Sequence, residues 1–427
     1  MPSKDLLKRI ILENVQFIKA LSLQMVPREG LVLPEGVRKV VVLYGLRRSG
    51  KTYMLYSLFK EAPDASLYVD FEDDRLAGFS PADFEKLREA FYELKPEVVG
   101  RSPWLLLDEV QRVEGWEAFA RRMVERGEAR VAVTGSSSKL GPSEIKSVLR
   151  GRDWTVEVMP FSFREVLRAR GMKPSQDLVY GLDRVKVVHL LEEYLSWGGF
   201  PEVVLAPPEE RRKIVREYLD ALFFKDLVER YGTTNLSLLR SLREALFSSF
   251  ASKFSLSSFF RKMKGRFPFS KDTLFRYYDH FLDAMLIFEV RKFTPSPYQR
   301  LRNPPKVYVA DNALTIRMGT RDRGRLLENL IYLELRRRRY EVHYFSGREE
   351  CDFVALREGE MELYQVSFDL GENLPREMEG LLEAAAELGL KRGTILTLEE
   401  EKTVEEKGVE ITVVPAWKWL LTPLTDG

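Results

Sequence analysis

Cysteine is nearly absent from this chain: Cys351 is the single one among 427 residues, so no intramolecular disulfide can form. Three histidines beside it leave little material for a structural zinc site. Amides are scarce as well, six Asn and six Gln, and in a chain rich in Lys, Arg and Glu that leans toward a thermophilic source. No apolar run approaches the roughly 20 residues that a membrane helix needs. The N-terminal MPSKDLLKRI alternates charge with apolar residues where a signal peptide would carry an apolar core. The expected location is therefore a reducing cytoplasm, with no membrane contact. Net charge is small too: 67 basic against 65 acidic side chains leave +2, which taken whole gives no sign of a nucleic-acid partner.

What is present is a folded chain, 44% apolar and 31% charged. At roughly 150 residues per domain it has room for about three domains. Apolar positions at helical spacing (Leu6, Leu7, Ile10, Ile11, Val15, Ile18) predict an amphipathic N-terminal helix. From 39 to 159, short β-rich runs alternate with helical stretches: KVVVLYG (39–45), SLYVDF (66–71), SPWLLLDEV (102–110), ARVAVTG (129–135) and TVEVM (155–159). Continuous apolar strands joined by helices predict an α/β fold with a parallel sheet of about five strands. The expected boundaries are 1–160 for the N-terminal helix and this core, 161–235 for a helical segment, 236–318 for a basic module, and 319–427 for a second α/β domain. That last domain reads as a helix, three strands, a helix and further strands.

GLRRSGKT, Gly45 to Thr52, matches the Walker A pattern G-x-x-x-x-G-K-[ST] between a strand and a helix. Backbone N–H groups of such a loop and the helix N-terminus cradle phosphates. Lys51 would pair with the β- and γ-phosphates of ATP, and the Thr52 hydroxyl would ligate Mg²⁺. Gly45, Arg48, Ser49, Gly50, Lys51, Thr52, Tyr53 and Thr134 form the candidate nucleotide-contacting set. In WLLLDE, Asp108 is the expected second metal ligand and Glu109 the residue that orients and polarises the attacking water. TGSSS offers Thr134 and Ser136 as hydroxyl donors, although Gly-Ser clusters are also ordinary loop composition. Arg150 or Arg152 could compensate charge in phosphoryl transfer or be surface residues, and Arg47 and Arg48 could touch phosphate or pack on the helix.

YGLRRSGKT, WLLLDEVQ, VTGSSS, LRGR followed by MPFSFREVL, YLSWGGFPEVV and LLENLIYLEL together resemble archaeal and bacterial ATPases of the AAA superfamily that carry a C-terminal domain of unknown function. The resemblance extends over nearly the whole chain. It implies an AAA-type ATPase core, a helical segment with a winged-helix-like module, and a terminal domain similar to the restriction-endonuclease-like fold. It also implies Arg152 as the arginine for nucleotide sensing or an arginine finger. If that arginine acts in trans, the chain works as an oligomer.

Between Arg240 and Lys306 there are 14 Lys and Arg against five Asp and Glu, so that segment carries +9 and the remainder −7. SLSSFFRKMKGR, a break at FPFS and KDTLFRYYDHFLDAML read as a helix-turn-helix with Ser270 as the N-cap of its second helix. Lys271 and Arg276 would face a DNA groove, with the 291–302 loop as a wing; a solvated basic face or a protein interface is the alternative. In the terminal domain, Glu328, Asp352 and Gln365-Val366-Ser367 fall where a restriction-endonuclease-like site would carry two acids and an acid-x-Lys strand. The lysine is absent there and one carboxylate is an amide, which favours a domain kept for binding or assembly over an active nuclease. The leading expectation is a Mg²⁺-dependent ATPase coupling ATP hydrolysis to conformational change on DNA. The alternatives are a nucleotide-dependent switch or scaffold for a protein partner, and an ATP-regulated nuclease.

Overall fold

A computed structural model of the protein describes residues 2–21, 25–30, 33, 36–135, 142–179, 182–266, 268–294, 296–319, 322–371 and 374–424. The chain divides into two compact units, Met1–Met159 and Pro160–Gly427.

In the first unit, strands β1 (Val40–Tyr44), β2 (Ser66–Asp70), β3 (Trp104–Asp108), β4 (Arg130–Thr134) and β5 (Asp153–Glu157) form one parallel sheet in the order β2-β3-β4-β1-β5. Helices α1 (Lys4–Ala20), α2 (Lys51–Glu61), α3 (Asp83–Leu94), α4 (Trp116–Glu125) and α5 (Pro142–Leu149) flank it. The period of two along a strand sorts its residues onto two cores. Val40, Val42, Leu105, Leu107, Val131 and Val133 meet α1, α3, α4 and α5, whereas Val41, Leu43, Leu106 and Ala132 meet α2. That double burial accounts for the uninterrupted apolar runs in the sequence. Pairing of β5 with β1 runs from Asp153 to Glu157, two residues ahead of the apolar run TVEVM. β5 has one sheet neighbour and is half-buried, so backbone pairing sets its register and hydrophobicity does not.

The second unit opens with α6 (Phe163–Ala169), where Ser162 and Glu165 close a reciprocal capping box. Next come α7 (Leu182–Trp197), α8 (Pro201–Leu205) and α9 (Pro208–Ala221), the last running on as a π-helical stretch over Leu222–Glu229. The basic segment contributes α10 (Leu236–Ser248), β6 (Ser252–Lys253), α11 (Leu256–Met263), α12 (Lys271–Asp283), β7 (Ile287–Lys292), α13 (Pro297–Arg302) and β8 (Lys306–Val309). The remainder is α14 (Arg323–Arg337), β9 (Glu341–Ser346), β10 (Glu350–Arg357), β11 (Glu360–Val366), α15 (Leu374–Leu388), β12 (Arg392–Thr397), β13 (Lys402–Glu406), β14 (Val409–Pro415) and α16 (Ala416–Leu420). All nine strands join in one mixed sheet, β13-β14-β12-β11-β10-β9-β7-β8-β6. The parallel pairing of β7 with β9, Arg291 opposite His343 and Lys292 opposite Tyr344, carries the sheet across position 319. No described helix is long and apolar enough to cross a membrane.

Candidate functional site

The sheet order places the C-terminal ends of β3, β4 and β1 side by side, the edge where ligands bind in open parallel sheets. Each end delivers one part of the site. After β1 the chain enters the 45–52 loop, and α2 starts at Lys51, so its first unpaired N–H groups face the loop. Gly45 has φ 147°, and a Cβ on it would lie 2.3 Å from the Val158 carbonyl oxygen, so only glycine lets the loop lie this close to the end of β5. Lys51 is buried, with Nζ 3.0 Å from the carbonyls of both Gly45 and Leu46. Ser49 is buried, and its Oγ has no hydrogen-bond partner among the described residues. Thr52 is half-buried, whereas Arg48 and Tyr53 are exposed.

After β3, Asp108 is held from both neighbouring strands. The Tyr68 hydroxyl of β2 donates to Oδ2 at 2.8 Å, and the Thr134 hydroxyl of β4 donates to Oδ1. Thr134 Oγ1 in turn accepts from the Glu109 N–H at 3.1 Å, so one hydroxyl links both acids of the pair. Glu109 has left-handed backbone, φ 48° and ψ 42°, a conformation that costs a non-glycine residue roughly 1–3 kcal/mol. Its carboxylate accepts from the Gln111 amide. Burial raises the Glu109 pKa, an effect that Gln111 and the Lys51 charge oppose. Asp70 ends β2 in register with Asp108, and burial pushes its pKa up to about 6.

The structure therefore gathers Lys51, Asp108, Glu109 and Thr134 at one sheet edge. It does not bring Arg152 there. Arg152 immediately precedes β5, at the edge where the parallel strand β1 begins, and its carbonyl accepts from Val40 N at 2.7 Å. Its Nε lies 3.3 Å from Glu125 of α4. Arg150 is exposed with φ 50°, and Ser136 lies outside the described residues. Three residues of this region escaped the sequence reading. Arg28 donates to the Ser49 carbonyl from a segment without a motif, and Tyr68 carries no pattern of its own. Asp70 has a signal in retrospect, since SLYVDF ends in an acid as WLLLDE does.

In the second unit, the carboxylates at 328 and 352 surround a lysine. Lys306 Nζ lies 3.0 Å from Glu328, 2.7 Å from Glu350 and 2.9 Å from Asp352, and its side chain is 4% exposed. Burial alone would lower its pKa, but the charges of Asp352 and Glu328 hold it well above the ordinary value. Glu328, buried and beside Asp352, is pushed up to about 7 and accepts from the Tyr308 hydroxyl at 2.7 Å. Gln365 accepts from the Asp352 N–H and donates to Glu377. No lysine stands beside Gln365; the lysine of this cluster comes from β8, and its ammonium is ion-paired with the acids. Among the described residues, no group of three or more His, Cys, Asp or Glu is arranged to hold a metal ion. Lys306 is also withdrawn from the basic surface expected over 240–306, as is the buried Arg243.

A family described as an AAA domain matches residues 37–167, and one described as a domain of unknown function (DUF8612) matches residues 188–323. The loop, the acid pair and the five-stranded parallel sheet all fall within the residues that match the AAA domain, so this part of the chain is a P-loop domain of the AAA kind. Over 98% of its length and 96% of the relative's, the chain is 33% identical to an uncharacterized protein of Methanocaldococcus jannaschii, and it belongs to the same family. An uncharacterized protein of Haemophilus influenzae is 27% identical over 88% of this chain and 94% of that one. Among solved structures, the Aeropyrum pernix ORC1 protein in complex with DNA aligns with a TM-score of 0.29 and 14% identity over 78% of this chain and 94% of that one. The S. cerevisiae Hsp104-ADP complex aligns with a TM-score of 0.28 and 14% identity over 79% of this chain and 43% of that one. A restriction-endonuclease-like terminal domain finds no support in these matches, since the second family ends at 323 and is of unknown function.

Proposed function

We propose that the chain binds and hydrolyses ATP at the 45–52 loop. The observation that carries this reading is the convergence of Lys51, Asp108, Glu109 and Thr134 at the ends of three adjacent strands. Lys51 turns from the Gly45 and Leu46 carbonyls to the β- and γ-phosphates, and the loop N–H groups hold the phosphate oxygens. Arg48, Ser49 and Tyr53 complete the nucleotide contacts. Glu109, made a better proton acceptor by burial, takes the proton of the attacking water. The Thr134 hydroxyl fixes the Glu109 backbone and the Asp108 carboxylate together. Asp108 and Thr52 are the residues that would hold Mg²⁺, whose charge neutralises the phosphates. The donor set fits: these are hard oxygen ligands, and a carboxylate has about four lone-pair sites, of which two hydroxyls occupy one on each oxygen. Arg152 stands at the opposite sheet edge, so as an arginine finger it serves the nucleotide of a second copy in an oligomer. ATP turnover by the full chain tests the reading: an unchanged rate in Lys51→Ala ends it.

DNA is the proposed partner of the basic segment. The order helix, short strand, two helices and an antiparallel β7–β8 pair with α13 between its strands supports reading α10 to β8 as a winged helix. Arg261, Lys262, Lys264, Arg266, Lys271 and Arg276 are exposed on and around α11 and α12, against exposed Asp272, Asp279 and Asp283. Affinity for duplex DNA that falls steeply with salt supports this reading, and salt-independent affinity opposes it. The Gln111 amide on Glu109 favours a second reading, a slow nucleotide-dependent switch acting on a protein partner. The Lys306 ammonium among Glu328, Glu350 and Asp352 weighs against an ATP-regulated nuclease.

A further inference from the structure

Arg28 belongs to none of the motifs, yet its guanidinium bridges two main-chain carbonyls that lie 110 positions apart. Nη1 donates to Ser49 O in the 45–52 loop at 2.8 Å, and Nη2 donates to Met159 O at 2.6 Å. Met159 is the last residue of the first unit. The start of the loop leans on the same segment, since Gly45 packs against the Val158 carbonyl, and Val158 N donates to Tyr44 O at 2.7 Å.

The next carbonyl along the chain is held as well, by another arginine. Pro160 O accepts from Arg337 Nη2 at 2.9 Å, Phe161 O accepts from the Tyr194 hydroxyl at 2.7 Å, and Phe161 N donates to Gly199 O at 2.7 Å. Consecutive carbonyls at 159 and 160 are thus fixed within the first and the second unit respectively. Proline at 160 has a locked φ and no N–H, and it narrows the conformations open to Met159.

We infer that Arg28 is a positioning residue that transmits the state of the nucleotide loop to the Met159–Pro160 junction. The inference rests on the reading that this loop binds ATP. When Lys51 leaves the Gly45 and Leu46 carbonyls for phosphate, the loop carbonyls reorient. A planar guanidinium with two short bonds then either carries Met159 with Ser49 or loses one bond. Lysine in its place has one ammonium and no rigid fork, so it holds the two carbonyls without fixing their relation.

The test is amide hydrogen exchange across 156–163 in the full-length wild type, Arg28→Ala and Arg28→Lys, each with and without ATP and Mg²⁺, beside ATP binding and steady-state turnover. In the wild type, ATP changes exchange at Val158 and Phe161. In Arg28→Ala that ATP-dependent change disappears, kcat falls about tenfold and KM for ATP moves by less than about threefold. Arg28→Lys falls between the two. An ATP-dependent change that persists in Arg28→Ala overturns the inference. So does parallel loss of ATP binding in both variants, which would make Arg28 a brace of the loop alone. A wild type that binds ATP without any change across 156–163 overturns the inference but leaves the ATPase reading standing. A wild type that does not bind ATP overturns both.

Discussion

Tyr68 and Asp108 face one another across neighbouring parallel strands, the phenol donating to the carboxylate at 2.8 Å. A hydrogen bond to a charged, buried acceptor contributes about 1.5–3 kcal/mol. Tyr68→Phe should therefore lower stability by about 1–2 kcal/mol, since Thr134 still holds the other oxygen. Denaturant unfolding measures this. ATP turnover in the same variant should fall less than in Asp108→Asn, because the phenol orients the carboxylate while the carboxylate is the expected ligand.

Glu109→Gln removes the proton acceptor and keeps the side-chain shape. It should retain ATP binding while turnover drops by about 100-fold or more. Thr134→Val, which removes the hydroxyl linking Asp108 to the Glu109 backbone, should reduce turnover by about tenfold with a smaller effect on binding. Binding and turnover measured side by side separate the two roles.

Gly198→Ala should be severely destabilising. Its φ is 70°, and the new Cβ would sit 1.6 Å from Asp311 Oδ1, whose partner oxygen accepts from Gly199 N at 2.7 Å. Neither a fully buried aspartate nor the backbone can give way, so a loss of about 3 kcal/mol or more is expected. A lowered melting temperature, or failure to accumulate soluble protein, is the readout.

Lys306→Met should cost about 3–5 kcal/mol, because Glu328 and Asp352 then share a buried space without their cation, while Glu350 keeps its ion pair with Lys253. Adding Asp352→Asn to that variant should restore part of the loss, since it removes one of the charges left uncompensated. A double-mutant cycle in urea checks the coupling.

Two buried groups should give stability opposite slopes with pH. His280, stacked on Tyr231 and depressed to about 4 by burial and then by Arg276, stays neutral in the folded chain. The unfolded chain takes up that proton first, so this contribution is lost as pH falls from about 6.5 to about 4. Burial raises Asp311 to about 6, so the folded chain holds its proton longer than the unfolded one, and stability falls as pH rises from about 4 to about 6. Unfolding midpoints of His280→Phe and Asp311→Asn, followed from pH 4 to 7, should therefore diverge in opposite directions from the wild type.

The five core strands and the acid pair were legible because a doubly covered parallel strand writes an uninterrupted apolar run, and the loop motif sits on one of them. β13 was missed since KTVEE is a mostly exposed edge strand, held by backbone pairing to β14 alone. The Lys306 cluster was illegible for another reason. Its ammonium comes from β8, 46 positions before Asp352, and only the closure of the nine-stranded sheet makes them neighbours. Arg28 and Met159 lie 131 positions apart and leave no spacing to read.

Pairing between β7 and β9 also bears on how this protein can be cut or borrowed. A truncation near position 319, attractive because a family match stops at 323, would split one sheet and leave each fragment with a raw strand edge. Unpaired edges recruit other chains. The second unit should consequently express, refold and be inherited as one piece, and grafting its basic half onto another protein should yield aggregates in place of a portable module.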